Sequence, residues 1–338
     1  MKNLNACLDQ LFEKKHLSNI AIRVGRGDEI LCDLYRSTEG KIDQNTLFDM
    51  ASVTKIVATT SIAFIALDKG LISLDDKVSK YLDCPADKQD MRIFNLLTHT
   101  IGIGHKPLNV KGVNYDNVAK FILDIPLDLP IGSDVLYSCP GYIILGKILE
   151  KVFGQRLDHL FKKMVAEPLG MTASSFLPDK SMQIVNAQLE ESDRGVVHDY
   201  NCKHLGGVAG NAGLFSNIAD MTKYAKMLLN MGAPLFSKEI MENAIQNHTP
   251  AMSQARGLGF VYVDDKYEQT AKMFEVGSIG HGGHTGQSIF VDVKSGLYSI
   301  ILSDCTISVI KTEPDHYYYE DVKIMRELVH RALKKDLF

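Results

Sequence analysis

The chain has 338 residues, 45% of them hydrophobic and 23% charged, with a formal net charge of −4 and a pI near 6.3. That is ordinary globular composition, enough to bury one large core or two closely packed ones. The charge balance gives no electrostatic case for nucleic acid or an anionic membrane surface, and no apolar run approaches the roughly 18 residues that a transmembrane segment needs.

In chain order, residues 4–16 read as an amphipathic helix without the apolar region of a signal peptide. Residues 19–25 and 29–36 read as a hairpin across Arg26-Gly27-Asp28. The middle, from about 52 to 250, reads as mostly helical, with helices over 52–69, 90–98, 116–124, 140–153, 157–166, 217–231 and 237–246. Ser216 is the expected N-cap of the sixth and Gly232 its C′ stop. Strands are expected at 257–263, 274–283, 287–293 and 297–303, with a turn at Lys294-Ser295-Gly296, and a closing helix over about 316–335. Strands at both ends with helices between them predict an α/β (α+β) fold. Its discontinuous antiparallel sheet, flanked by the N- and C-terminal helices, draws on residues 1–51 and 251–338. A large, mostly helical domain spans 52–250, with the ligand cleft between the two.

The six cysteines, at 7, 32, 84, 139, 202 and 305, include no C-x-x-C pair and suggest neither a zinc site nor a disulfide framework. Reduced thiols and no export signal point to the cytoplasm. Neither a metal nor a cofactor is expected. The expected partner is a small-molecule or peptide substrate, and the oligomeric state is left open.

Ser52-Val53-Thr54-Lys55 carries the chemistry. An alcohol and an amine three positions apart meet on one face of a helix. An apolar stripe of Ile56, Ala63, Ala66 and Leu67, stopped by Gly70, supports a helix there. Ser52 then lies near its first turn, where unpaired N–H groups favour a developing alkoxide. A partly desolvated Lys55 is expected to lose its proton near neutral pH and help take the serine's. A second copy, Ser308-Val-Ile-Lys311, follows a strand-like run and precedes Pro314, so no helix is expected to join its ends. Tyr137, just before the helix opened by Pro140, is the candidate second proton carrier, its phenolate stabilised by the lysine.

Five segments, in order, then carry a resemblance: Ser52-x-x-Lys55, Leu97-Thr-His-Thr-Ile-Gly102, Tyr137-Ser-x-Pro-Gly-Tyr142-x-x-Leu-Gly146, Asn211-Ala-Gly-Leu-Phe-Ser216-x-x-x-Asp220 and Gly280-His-Gly-Gly-His-Thr-Gly286. The chain resembles the serine penicillin-recognising enzymes: class C β-lactamases, DD-peptidases and their esterase and D-aminopeptidase relatives. The separation of Ser52 from Tyr137 is also the family's. The resemblance implies a serine hydrolase that forms an acyl-enzyme at Ser52 and acts on a D-amino-acid peptide, a β-lactam or an ester. A penicillin-binding scaffold with little turnover, or an acyltransferase, is the alternative.

Two departures from the family matter. Cys139 stands where the family has an asparagine that holds the lysine and receives the substrate's acylamino group, and a thiol is a poor replacement. His281-Gly282-Gly283 is preferred over His284-Thr285-Gly286 as the third motif, because strand alternation restarts at Gln287 and makes Thr285-Gly286 the turn. His281 then replaces a cationic lysine, to anchor an anionic end of the substrate or tune Tyr137. The His284 N–H, following Gly283, becomes an oxyanion donor beside that of Ser52. These departures tilt the expectation toward esters or unusual amides.

Tyr115-Asp116-Asn117 fits the family's Tyr-x-Asn by letters but reads as a helix start, with Asp116 or Asn117 as cap. Asn211 is expected to touch substrate, and His99 to order its loop. His281, His284, His198, Asp199 and His204 match no zinc spacing.

Overall fold

The computed structural model describes residues 1–313 and 319–338. Among the described residues, nine strands form two antiparallel sheets. They are β1 (Asn19–Arg26), β2 (Glu29–Ser37), β3 (Phe48–Asp49), β4 (Ser175–Phe176), β5 (Leu214–Ser216), β6 (Val261–Tyr262), β7 (Ile279–Gly282), β8 (Ser288–Asp292) and β9 (Leu297–Ser303). The main sheet runs β2-β1-β9-β8-β7-β6, so the N-terminal hairpin pairs with the last strand of the C-terminal meander. The small sheet, β3-β5-β4, brings residues 48–49 beside 214–216.

Period-two alternation divides the main sheet between two cores. Ile20, Ile22 and Val24 of β1, Phe290 of β8 and Ile301 of β9 face the terminal helices Lys2–Glu13 and Tyr319–Leu337. Leu4, Leu8, Leu11 and Phe12 form the matching stripe of the first helix. The opposite face, with Ala21, Ile289, Val291, Ile300 and Leu302, joins one continuous core with the helices of the middle region. The sheet is therefore covered on both sides, as the sequence led us to expect.

The expected helix over 52–69 is three different turns in succession. A 3₁₀ turn, Ala51–Val53, leads into a wide π-helical stretch, Lys55–Thr60, and then an α-helix, Ser61–Asp68. Ser61 Oγ donates to the Ile56 carbonyl five residues back, at 3.0 Å, and Thr59 Oγ1 donates to Gly210 O at 2.7 Å. The Ser61 bond occupies a carbonyl of the helix ladder and suits a widened turn, while the Thr59 bond ties the stretch to the 210 loop. The stretch is buried all round rather than along one stripe. Ala51–Asp68 is in fact long and apolar enough to cross a membrane by length and composition, but 83% of it is packed inside the fold, as a core helix is.

Other boundaries also move. The helix expected at 217–231 spans Ile218–Leu229, and its cap is Asn217, whose Oδ1 accepts the Asp220 N–H at 2.9 Å. Ser216 instead ends β5 and meets Ser174 Oγ at 2.7 Å. Asn230 closes that helix, and Gly232, at φ +92, lies in the turn after it. The strands expected at 257–263 and 274–283 shrink to Val261–Tyr262 and Ile279–Gly282. A turn in which the Gly257 N–H bonds Phe260 O takes the first part of the former. Ser308 and Lys311 do share a helix, Cys305–Thr312, contrary to expectation. Their side chains are engaged elsewhere: Ser308 Oγ donates to Ser18 Oγ at 3.2 Å, and Lys311 faces Glu39 at 3.8 Å. Pro314 and the start expected for the closing helix lie outside the described residues.

Candidate active site

Ser52 follows a backbone turn that the sequence does not advertise. Ala51 has φ +44, a left-handed conformation costing a residue with a Cβ roughly 1–2 kcal/mol. Asp49, at the end of β3, holds it: Oδ1 accepts the Ala51 N–H at 2.8 Å and Oδ2 the His198 N–H at 2.6 Å. The Asp49 carbonyl accepts Thr285 Oγ1 at 3.0 Å and Gln287 Nε2 at 2.6 Å. One residue thus ties the serine turn to the 198 loop and to the β7–β8 turn.

From this turn Ser52 Oγ lies 2.9 Å from Lys55 Nζ and 2.8 Å from the Tyr137 hydroxyl. Lys55 is fully buried, and its ammonium also donates to Asn211 O at 3.0 Å and approaches Cys139 Sγ at 3.5 Å. Tyr137 is positioned by stacking on His99, with ring centroids 4.7 Å apart. His99 caps the helix Ile93–Thr98 in a left-handed conformation, and its Nδ1 accepts the Ser138 N–H at 3.0 Å. Ser138 in turn caps the helix Cys139–Phe153, its Oγ accepting the Gly141 N–H. His99 therefore orders the loop that presents Tyr137.

The charges differ from expectation. Burial by itself lowers Lys55, but the anionic forms of Cys139 and Tyr137 outweigh it, so the ammonium is held above the ordinary lysine value. Burial raises the Tyr137 phenol, with the Lys55 charge only partly offsetting it. Burial also raises a thiol, yet at Cys139 the Lys55 ammonium and a hydrogen bond to His105 prevail and bring it below the usual cysteine value. That same bond leads the causes that raise His105. Lys55, Tyr137 and Cys139 thus form one buried cluster in which the lysine and the phenol are shifted up and the thiol down.

His281 lies on β7 and His284 in the turn that follows it, Gly286 N–H closing on Gly283 O. His281 Nδ1 donates to Gly282 O at 2.7 Å, so the tautomer is fixed and Nε2 carries a lone pair, buried and unpartnered within the fold. Burial, then the Lys55 and Arg256 charges, keep the ring neutral. His281 is consequently an acceptor and does not stand in for a cationic lysine. Gly283 passes so near the serine turn that a Cβ there would lie 2.8 Å from Met50 O. At Gly282 a Cβ would displace the Arg326 guanidinium from its present place.

Asn211 is fully buried and contributes its carbonyl to Lys55, while its Nδ2 donates to Asp199 Oδ1 at 3.1 Å. Its carbonyl lies behind the lysine, while its Oδ1 is buried with no hydrogen-bond partner among the described residues. Of the remaining histidines, His198 and His284 stack at 5.8 Å, whereas His204 Nε2 turns away to Val113 O. Tyr115 hydrogen-bonds Glu150 and lies under the Lys147 ammonium, 3.6 Å from its ring centroid, as a structural residue.

Four neighbours had no signal in the sequence: Asp49, His105, Arg256 and Arg326. Arg256 is 6% exposed, its guanidinium 5.8 Å from the Tyr137 ring centroid and held by Gln254 Oε1 at 2.6 Å. It is a buried cation close to the phenol, where His281 is neutral.

Comparison with known proteins agrees with this architecture. The chain is 30% identical over 308 residues to an Escherichia coli K12 protein provisionally named D-alanyl-D-alanine carboxypeptidase, covering 78% of this chain and 70% of that one. Its structure is similar to that of EstCE1, described as a hydrolase with promiscuous acyltransferase activity (TM-score 0.77, 17% identity, 97% of this chain and 98% of that one). It is also similar to a class C β-lactamase from Rhodobacter sphaeroides (TM-score 0.71, 15% identity, 98% and 100% covered). The β-lactamase family model matches residues 4–318, and the chain belongs to that family.

Proposed function

We propose that this protein is a serine hydrolase that forms an acyl-enzyme at Ser52 on small esters or on peptides ending in a free carboxylate. The observation that carries the reading is the convergence of Lys55 Nζ and the Tyr137 hydroxyl on one oxygen, Ser52 Oγ. The reactive form is the one in which the Lys55–Tyr137 pair lacks one proton, as amine or phenolate; it takes the Ser52 proton as Ser52 attacks the substrate carbonyl and passes it to the leaving group as that bond breaks. Cys139 next to Lys55 gives that pair a third proton-binding atom. The N–H groups of Ser52 and His284 receive the oxyanion, and water then releases the acyl group.

Arg256 favours a substrate with an anionic end, because its guanidinium places a positive charge 5.8 Å from the ring of Tyr137, whose hydroxyl meets Ser52. The name of the Escherichia coli relative fits such a substrate. Cys139 in place of an amide weakens recognition of an acylamino group, which favours simple acyl donors over elaborated peptides.

The test is hydrolysis of p-nitrophenyl acetate and of a D-alanyl-D-alanine peptide by the wild type and by Ser52→Ala and Tyr137→Phe. Ser52→Ala abolishes both activities, and Tyr137→Phe lowers kcat by roughly 10²–10⁴. A fluorophosphonate adduct maps to Ser52. Undiminished turnover by Ser52→Ala, or an adduct elsewhere, rejects the reading.

A further inference from the structure

At and just beyond the end of β7 three consecutive carbonyls each accept a side-chain hydrogen bond, the first from within the strand and the other two from outside it. Gly282 O accepts from His281 Nδ1, Gly283 O from Arg326 Nη2, and His284 O from Thr306 Oγ1. The middle anchor differs from the other two in being charged. Arg326 comes from the closing helix, is 5% exposed, and is aimed by a second bond from Nη1 to Gln269 Oε1 at 2.9 Å. Glycine at 282 leaves the guanidinium its space.

The Gly283 carbonyl and the His284 N–H belong to one planar peptide unit, with the C=O and N–H pointing in opposite directions. A charge-assisted bond at the oxygen fixes the direction of that N–H and draws electron density from it, which strengthens it as a donor. The same peptide follows the close approach of Gly283 to Met50 and Ala51, the residues before Ser52. We propose that Arg326 is a positioning residue for the oxyanion site, holding and polarising the Gly283–His284 peptide so that its N–H meets the charge developing as Ser52 attacks. The inference rests on the acyl-enzyme reading above.

Arg326→Met, Arg326→Lys and Gly282→Ala are compared with the wild type for p-nitrophenyl acetate turnover and for inhibition by phenylboronic acid, which forms a tetrahedral adduct with a nucleophilic serine. Arg326→Met is expected to lower kcat by about tenfold with KM within a factor of about two, short of the roughly 10²–10³ for losing an oxyanion donor outright. Phenylboronic acid affinity should fall in parallel with kcat, and Arg326→Lys should recover part of both. A purely structural role would lower the melting temperature without this parallel. If Arg326→Met does not fold, Gly282→Ala decides, since its methyl group displaces the guanidinium while keeping the charge. Wild-type kcat and boronate affinity in the folded variants, with Ser52→Ala inactive, overturn the role of Arg326. Persistent turnover by Ser52→Ala instead overturns the acyl-enzyme reading itself.

Discussion

Asp49 Oδ1 accepts the Ala51 N–H at 2.8 Å and keeps the residue before Ser52 in a left-handed conformation. Because Oδ2 simultaneously binds the His198 N–H, replacing Asp49 by Ala strands two donors, one buried at Ala51 and one half-buried at His198. The buried one costs about 1–3 kcal/mol and the other less. Urea unfolding of Asp49→Ala should therefore show a clear loss of stability, and the folded fraction should hydrolyse p-nitrophenyl acetate more slowly as the serine turn relaxes. Asp49→Asn keeps one acceptor oxygen and should fall between Asp49→Ala and the wild type.

Cys139 Sγ stands 3.5 Å from Lys55 Nζ, and its anionic form is among the groups that hold the lysine charged. Removing that negative partner destabilises the ammonium. Cys139→Ser should thus shift the alkaline limb of the kcat/KM profile to lower pH, with the acidic limb moved less. Cys139→Asn supplies an amide, so it should raise kcat/KM for an acylaminated D-alanyl peptide relative to p-nitrophenyl acetate. Paired pH profiles and a substrate comparison on the same preparations check both.

Two buried cations flank the phenol ring of Tyr137, the Lys55 ammonium at 5.0 Å and the Arg256 guanidinium at 5.8 Å from its centroid. Arg256→Gln should raise KM for a peptide bearing a free C-terminal carboxylate by about tenfold or more, the scale of a charged hydrogen bond. Neutral p-nitrophenyl acetate should show little change in KM. An equal effect on both substrates would remove the carboxylate argument.

Acid should destabilise the fold through its buried neutral histidines. Burial lowers His330 and His284 to about 4 from an ordinary value of 6.5. Between those limits the unfolded chain binds more protons than the folded one, so stability rises with pH. The contribution is complete above about pH 6.5 and lost as pH falls toward about 4. His330 Nδ1 donates to Gln269 O and its Nε2 faces Ser299 Oγ, so His330→Gln retains polar capacity without the titration. Its urea midpoint should vary less with pH over this window than that of the wild type.

Much of the architecture was legible because it rests on local periodicity. The hairpin of β1 and β2, the alternation of β8 and β9 and the terminal amphipathic helices each bury one face whatever lies opposite. Spacing also pointed to Ser52 and Lys55, and the flanks of Tyr137 to its loop. The bounds of β6 and β7 were read too long because apolar residues there pack in turns as well as in strands. The helicity of Ser308–Lys311 was missed because Pro314 lies beyond the turn that joins them.

What the amino-acid sequence determined by itself was which side chains were available and which face of each element is apolar, since both follow from residue type and repeat. The tertiary structure alone decided their charge and company. Burial and neighbouring cations kept His281 neutral, neighbouring anionic groups held Lys55 charged against its burial, and the fold brought Arg256 to the phenol. Chain segments far apart placed Asp49 against the β7–β8 turn and Arg326 against Gly283. Protonation and hydrogen-bond partnership depend on the local dielectric and on distances of a few ångströms, and neither is a property of a residue's own stretch of chain.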